Sequence, residues 1–103
     1  MEIGEILKRL RVIYGIKASQ MADNLELSTS YLSEIENNKK QPNLRLLEKY
    51  AEIFQIKLSS IILLAESHEE MKMRGQGDEF IRKIMIMLIN STFEIKQKVF
   101  INE

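Results

Sequence analysis

Residues 18–37 run Ala18-Ser19-Gln20-Met21-Ala22-Asp23-Asn24-Leu25-Glu26-Leu27-Ser28-Thr29-Ser30-Tyr31-Leu32-Ser33-Glu34-Ile35-Glu36-Asn37. Met21, Ala22 and Leu25 share one side of a short helix over 18–25. Glu26-Leu27 makes a turn. Ser28 suits an N-cap, because its hydroxyl accepts from a free backbone N–H in the first helical turn. A further helix then runs from about Thr29 to Asn37. At about 100° per residue, Tyr31, Leu32 and Ile35 form one face of that helix. Thr29, Ser30, Ser33, Glu34 and Asn37 lie opposite. Two short helices joined by a tight turn suggest a helix-turn-helix unit. The outer face carries short polar groups, which bond to base edges or phosphates without bulk.

Amphipathic helices extend on both sides of this unit. Ile3, Ile6, Leu7, Leu10 and Ile13 recur every three or four residues, predicting a first helix over 2–14 that Gly15 stops. Residues 37–42 form a loop with the chain's single proline, Pro42. Asn43 caps a fourth helix to about Phe54, with Leu44, Leu47, Ala51 and Phe54 inward. A fifth helix fits 59–66, with a continuation to about 72 as the alternative. Arg74-Gly75-Gln76-Gly77 breaks the pattern. Asp78 caps a last helix from Glu79, in which Ile81, Met85, Leu88, Ile95 and Val99 follow a rough heptad. A strand around Thr92, Phe93 and Ile95 is the alternative beyond Ile89. The expected division is a domain over 1–66, a linker over 67–77 and a C-terminal segment over 78–103.

Composition narrows the function. The 103 residues are 45% hydrophobic and 29% charged, an ordinary globular balance. Cysteine is absent, which excludes disulfides, thiolate metal sites and cysteine nucleophiles. Basic and acidic residues number 15 each, so phosphate binding must come from local clusters rather than a global field. The longest apolar run, Ile84 to Ile89, is far short of the roughly 20 residues that cross a bilayer. The sequence reads as a cytoplasmic protein without membrane, metal or cofactor. His68, the one histidine, sits in Glu66-Ser67-His68-Glu69-Glu70 and is expected on an exposed helix surface. Gly75-Gln76-Gly77 follows no strand, so it is a linker rather than a nucleotide loop. With no catalytic constellation, an enzyme is a poor reading.

Residues 3–64 resemble the Cro/phage-repressor (XRE) helix-turn-helix family. The resemblance is carried by Ile3 to Arg11 (IGEILKRLR), Ser19-Gln20-Met21-Ala22, Ser30 to Asn37 (SYLSEIEN) and Pro42-Asn43-Leu44. Leu47, Ala51, Phe54, Ile56, Leu58 and Ile61 follow at the family's spacings. The resemblance implies an all-α, five-helix domain that acts on double-stranded DNA as a transcriptional repressor. Its third helix enters the major groove, as a dimer on a two-fold operator. It further implies base contacts from Thr29, Ser30 and Glu34. Phosphate contacts fall to Lys17, Ser33, Asn37, Lys39 and Lys40, and a structural ion pair to Arg11 and Glu36. Three positions depart from the family. Ala18 replaces a phosphate-clamping Gln, and Glu26 replaces a turn Gly, which leads us to expect a differently shaped turn. Asn38 replaces another Gly, but Asn tolerates the left-handed region.

Residues 80–89, FIRKIMIMLI, are apolar almost all round and need burial. A five-helix domain already has its core, so we expect this segment to form a homodimer through Phe80, Ile81, Ile84, Met85, Leu88 and Ile89. Packing back on the fifth helix is the alternative. A different functional class would be an antitoxin or adaptor whose C-terminal helix binds a toxin or other protein.

Overall fold

The computed structural model describes residues 2–88. Six helices and no strand occur among them. They are α1 (Gly4–Ile13), α2 (Ala18–Leu25), α3 (Thr29–Glu36), α4 (Leu44–Phe54), α5 (Leu58–Met73) and α6, described over 77–88. The all-α fold expected from the sequence is therefore present. The 92–95 strand alternative and Ile89 lie outside the described residues.

Local chemistry sets most helix ends. Ser28 Oγ accepts from Tyr31 N at 3.1 Å, and Asn43 Oδ1 accepts from Leu46 N at 2.8 Å. Gly15 follows α1 at φ 69°, in the left-handed region that glycine enters without strain. Glu26 ends α2 in that same region, at φ 58° and ψ 41°. The turn thus keeps the left-handed shape that its non-glycine residue led us not to expect. Leu27 N donates to Ala22 O at 2.8 Å, and the half-buried Leu27 side chain packs on the core. These ties hold Glu26 in a conformation costing about 1–2 kcal/mol.

The core joins all six helices. Ile6, Leu7 and Leu10 of α1 meet Met21, Ala22 and Leu25 of α2, Leu32 and Ile35 of α3, Tyr50 and Phe54 of α4, and Ile61 and Ala65 of α5. α1 packs on α3 and α5, while α2 packs on α3 and α4. Leu44 is 59% exposed, contrary to its expected inward place, and Tyr50 is fully buried instead. Leu44 occupies the first helical position, ahead of the turn at which α4 meets its neighbours, and angular periodicity takes no account of that.

Three expectations about the C-terminal half are corrected. α5 runs unbroken to Met73, so most of the expected linker is helix and only 74–76 separate α5 from α6. Its residues Glu66 to Met71 contain no helix breaker, and the half-buried Met71 continues the inner face. α6 opens at Gly77, ahead of Asp78, with Phe80 N donating to Gln76 O at 3.0 Å. Most consequentially, Ile81 and Ile84 are only 7% and 6% exposed within a single chain. They close a niche whose other walls are Ile6, Arg9, Leu10, Ile13 and Leu64. The five-helix core is not complete without them, and burying apolar area at about 25 cal/mol per Å² favours closing that niche from within the chain. Phe80, Met85 and Leu88 are half-buried on their own chain too. Among the described residues of α6, the large apolar side chains that stay exposed are Ile86 and Met87, at 56% and 57%. No described helix is long and apolar enough to cross a membrane.

Candidate nucleic-acid interface

α3 presents a polar outer face on a fixed inner one. Leu32 and Ile35 are fully buried, whereas Thr29, Ser30, Ser33 and Asn37 are exposed and Glu34 is half-exposed. Tyr31 is 38% exposed, part anchor and part surface. Ser33 and Asn37 are not independent: Asn37 Nδ2 donates to Ser33 O at 2.9 Å and to Ser33 Oγ at 3.2 Å. This ties the last turn of α3 to its side-chain amide. Lys17 stands at the N-cap of α2, where its backbone N–H donates to Gln20 Oε1 at 3.1 Å and its side chain is exposed. Ala18 begins α2 and offers no polar group.

The loop after α3 is held at the same edge. The backbone N–H groups of Lys39 and Lys40 both donate to Glu34 O, at 2.8 and 3.2 Å. That carbonyl is one of the groups a helix C-terminus leaves unpaired, so the bonds satisfy the helix end and position the loop together. Both lysine side chains are exposed.

Two internal ties fix the orientation of α3. Arg11 donates from Nε to Glu36 Oε2 at 2.7 Å and from Nη2 to Glu36 Oε1 at 3.1 Å. Its Nη1 donates to Ile16 O at 2.9 Å. The side chains are only 12% and 6% exposed. The hydrogen bond to Glu36 raises the Arg11 pKa above its already high ordinary value, against the opposing effect of burial. One guanidinium therefore joins α1, the loop after it and the end of α3. The second tie is Asn38, in the left-handed region at φ 61°, whose Oδ1 accepts from Gly4 N at 2.8 Å. A helix-terminal N–H of α1 is thus satisfied by a residue from the end of α3. Gly4 is required there, because a Cβ would collide with the Ile35 carbonyl oxygen and lie 2.6 Å from Asn38 Oδ1.

Sequence reasoning missed part of this edge. Leu25, Glu26, Leu27, Ser28 and Tyr31 form one wall of an open groove of about 490 Å³. Gln41, Asn43, Arg45, Leu46 and Lys49 form the other. Arg45 and Lys49 are four apart, so the helical period that placed the core of α4 also stacks two cations on one side of it. That signal was in the sequence. The adjacency of this side to the α2–α3 turn was not. Among the described residues no group of three or more His, Asp or Glu side chains is arranged to hold a metal ion.

The comparisons with known proteins agree with this geometry. A family model described as helix-turn-helix matches residues 7–61. The HTH-type transcriptional regulator SinR of Bacillus subtilis is 31% identical over 96 residues, covering 92% of this chain and 84% of SinR. The immunity repressor protein of Bacillus phage phi105 is 30% identical over 82 residues, 76% of this chain and 57% of that protein. The transcriptional regulator ClgR of Mycobacterium tuberculosis is 31% identical over 61 residues, 59% of this chain and 54% of ClgR. The chain thus spans about half the length of the latter two. No solved structure gives a significant match. With the α2–α3 unit, the buried α1–α3 tie and these matches together, the chain belongs to the XRE, phage-repressor type of helix-turn-helix family, whose members are DNA-binding transcriptional regulators and not enzymes.

Proposed function

We propose that this chain is a dimeric repressor that places α3 in the major groove of a pseudo-palindromic operator. The observation that carries the reading is the fixed two-faced α3. Its apolar side is locked by Leu32 and Ile35, and its end is tied by Arg11–Glu36 and Gly4–Asn38. Thr29, Ser30 and Glu34 then read bases. Lys17, Ser33, Asn37, Lys39 and Lys40 meet phosphates, and Arg45 and Lys49 add charge beside the α2–α3 turn. A helix-turn-helix presents the N-terminal residues of its second helix to base edges, and Thr29 and Ser30 hold that place here.

The phosphate assignments have a salt signature. Each neutralised phosphate contributes about 0.9 to the slope of log K against log salt. Lys17, Lys39 and Lys40, doubled in a dimer, give about six contacts and a slope of about −5 to −6. Changing Lys39 and Lys40 to Ala is expected to weaken binding to all sequences alike and flatten the slope by about 3 to 4. Filter or fluorescence titrations at several salt concentrations measure it. An unchanged slope removes both lysines from the interface.

Dimerisation rests on α6, through the side turned away from its own domain. Since Ile81 and Ile84 are internal, the contact falls to Ile86 and Met87. Apolar side chains this open on neighbouring positions are what an interface covers. Changing both to Glu is expected to leave the melting temperature of the domain nearly unchanged and convert the dimer to monomer. Sedimentation equilibrium distinguishes this from the opposite outcome, a dimer that persists and places the contact elsewhere.

A further inference from the structure

His68 occupies the junction of α1, α5 and α6, and the DNA-binding reading makes no use of it. Its expected place was the solvent-exposed side of a helix. The structure instead buries it, at 3% exposure. Its ring stacks on Phe80 of α6, centroid to centroid 6.1 Å at 17°. Its Nδ1 lies 4.0 Å from Glu5 Oε2 of α1. α6 begins directly over it: a Cβ on Gly77 would lie 3.6 Å from His68 Nε2 and 2.7 Å from Lys72 Cγ. Glycine permits this close start, so α6 roofs the imidazole.

We propose that His68 is a pH-sensitive latch for α6: its neutral ring holds α6 docked on the domain, and its protonation releases the helix. Stacking on Phe80 and closure by Gly77 both depend on α6, so undocking α6 returns the ring to water. A buried base is neutral by preference, because burial penalises its charged form. Burial is the largest influence on His68 and lowers its pKa below the ordinary 6.5. The surrounding charges are mixed. Glu5 of α1 and Asp78 of α6 favour the charged ring, while Lys72 of α5 and Arg9 of α1 oppose it. Glu5 is also shared with Lys72, whose Nζ lies 3.5 Å from Glu5 Oε2 and 3.7 Å from Glu2 Oε2. Glu5 is thus not a dedicated counter-ion for an imidazolium.

The docked state binds the proton less well than the released state, so docking is strongest above the ordinary histidine range and weakens as the pH falls through it. For each pH unit by which docking lowers the pKa, full protonation weakens docking about tenfold. Release uncovers Ile81 and Ile84 together with the Ile6, Leu10 and Leu64 surface they cover. The latch therefore links acidity to the apolar area available for association, independently of which DNA the chain binds.

The test uses the intact chain. His68 is its only histidine, so its ring protons give a single set of signals in NMR. The ring and the amide protection factors of residues 77–88 are followed together from about pH 8 to about pH 5. A ring midpoint below 6.5, with α6 protection falling over the same interval, is expected. His68→Phe, which keeps an aromatic ring against Phe80, is expected to make α6 protection independent of pH. If that variant does not fold, the coincidence of the two wild-type midpoints decides alone. A ring midpoint at or above 6.5, wild-type α6 protection that does not change, or a fall that persists in His68→Phe overturns the latch.

Discussion

Glu36→Ala is expected to destabilise the domain by about 3–5 kcal/mol, the range for removing one partner of a buried ion pair. The side chains of Arg11 and Glu36 are 12% and 6% exposed, so water does little to screen the charge left behind. After the change Arg11 keeps only its bond to the Ile16 carbonyl, which does not neutralise it. Small domains are stable by about 5–15 kcal/mol, so the loss removes a large share. Urea unfolding followed by circular dichroism measures it. Arg11→Ala should cost a similar amount. Replacing the pair together, Arg11→Met with Glu36→Leu, should cost less than either single change, because no charge is stranded. A loss under about 1 kcal/mol from Glu36→Ala would mean the pair behaves like a solvent-screened one.

Gly4→Ala is the second large effect, expected at about 1–3 kcal/mol from overpacking against a fixed backbone. The added methyl meets the Ile35 carbonyl oxygen, which is backbone and cannot swing aside, and crowds the Asn38 Oδ1 that Gly4 N–H binds. Moving α1 away to relieve the collision weakens the Gly4–Asn38 hydrogen bond, worth about a further 0.5–1.5 kcal/mol. A domain of this size loses about 4–8 °C in melting temperature per kcal/mol. Gly15→Ala supplies the contrast. Gly15 has open space around its Cβ position and only a left-handed φ of 69°, so its cost is confined to about 1–2 kcal/mol of backbone strain. If both variants melted alike, the close approach of α1 to the end of α3 would not be the constraint described.

What was legible in the sequence is what local chemistry decides. The caps at Ser28 and Asn43, the stop at Gly15 and the inward residues of α1, α2 and α3 all follow from nearest turns and helical period. The burial of His68 was not legible, because its neighbours in sequence, Glu66, Glu69 and Glu70, describe an exposed helix. The ring is covered by α1 and by α6, which lie far from it along the chain or beyond a turn. The inward packing of Ile81 and Ile84 was hidden for a related reason. A sequence shows that α6 is apolar, but not that α1 and α5 leave a niche of matching shape. The same limit applies to the candidate interface. The polar side of α3 is written in its period, while the groove between Tyr31 and Arg45 exists only because α4 starts beside the α2–α3 turn.

The central claim is that α3 reads sequence, and selection of binding sites from randomised duplexes tests it most directly. In a two-fold dimer the two α3 copies lie about 34–36 Å apart, one turn of DNA. The wild-type chain is expected to select a pseudo-palindrome with half-site centres about 10 base pairs apart. Ser30→Ala and Glu34→Ala should change base preference at defined half-site positions, by about 1–3 kcal/mol for each base-specific bond removed. Neither residue belongs to the core, so melting temperatures should hardly move. Glu34→Ala should also raise affinity for unrelated DNA, since it deletes a negative charge near phosphate. Recovery of the wild-type site by both variants, with preferences unchanged at every position, would contradict the account and show that α3 is not the reading helix.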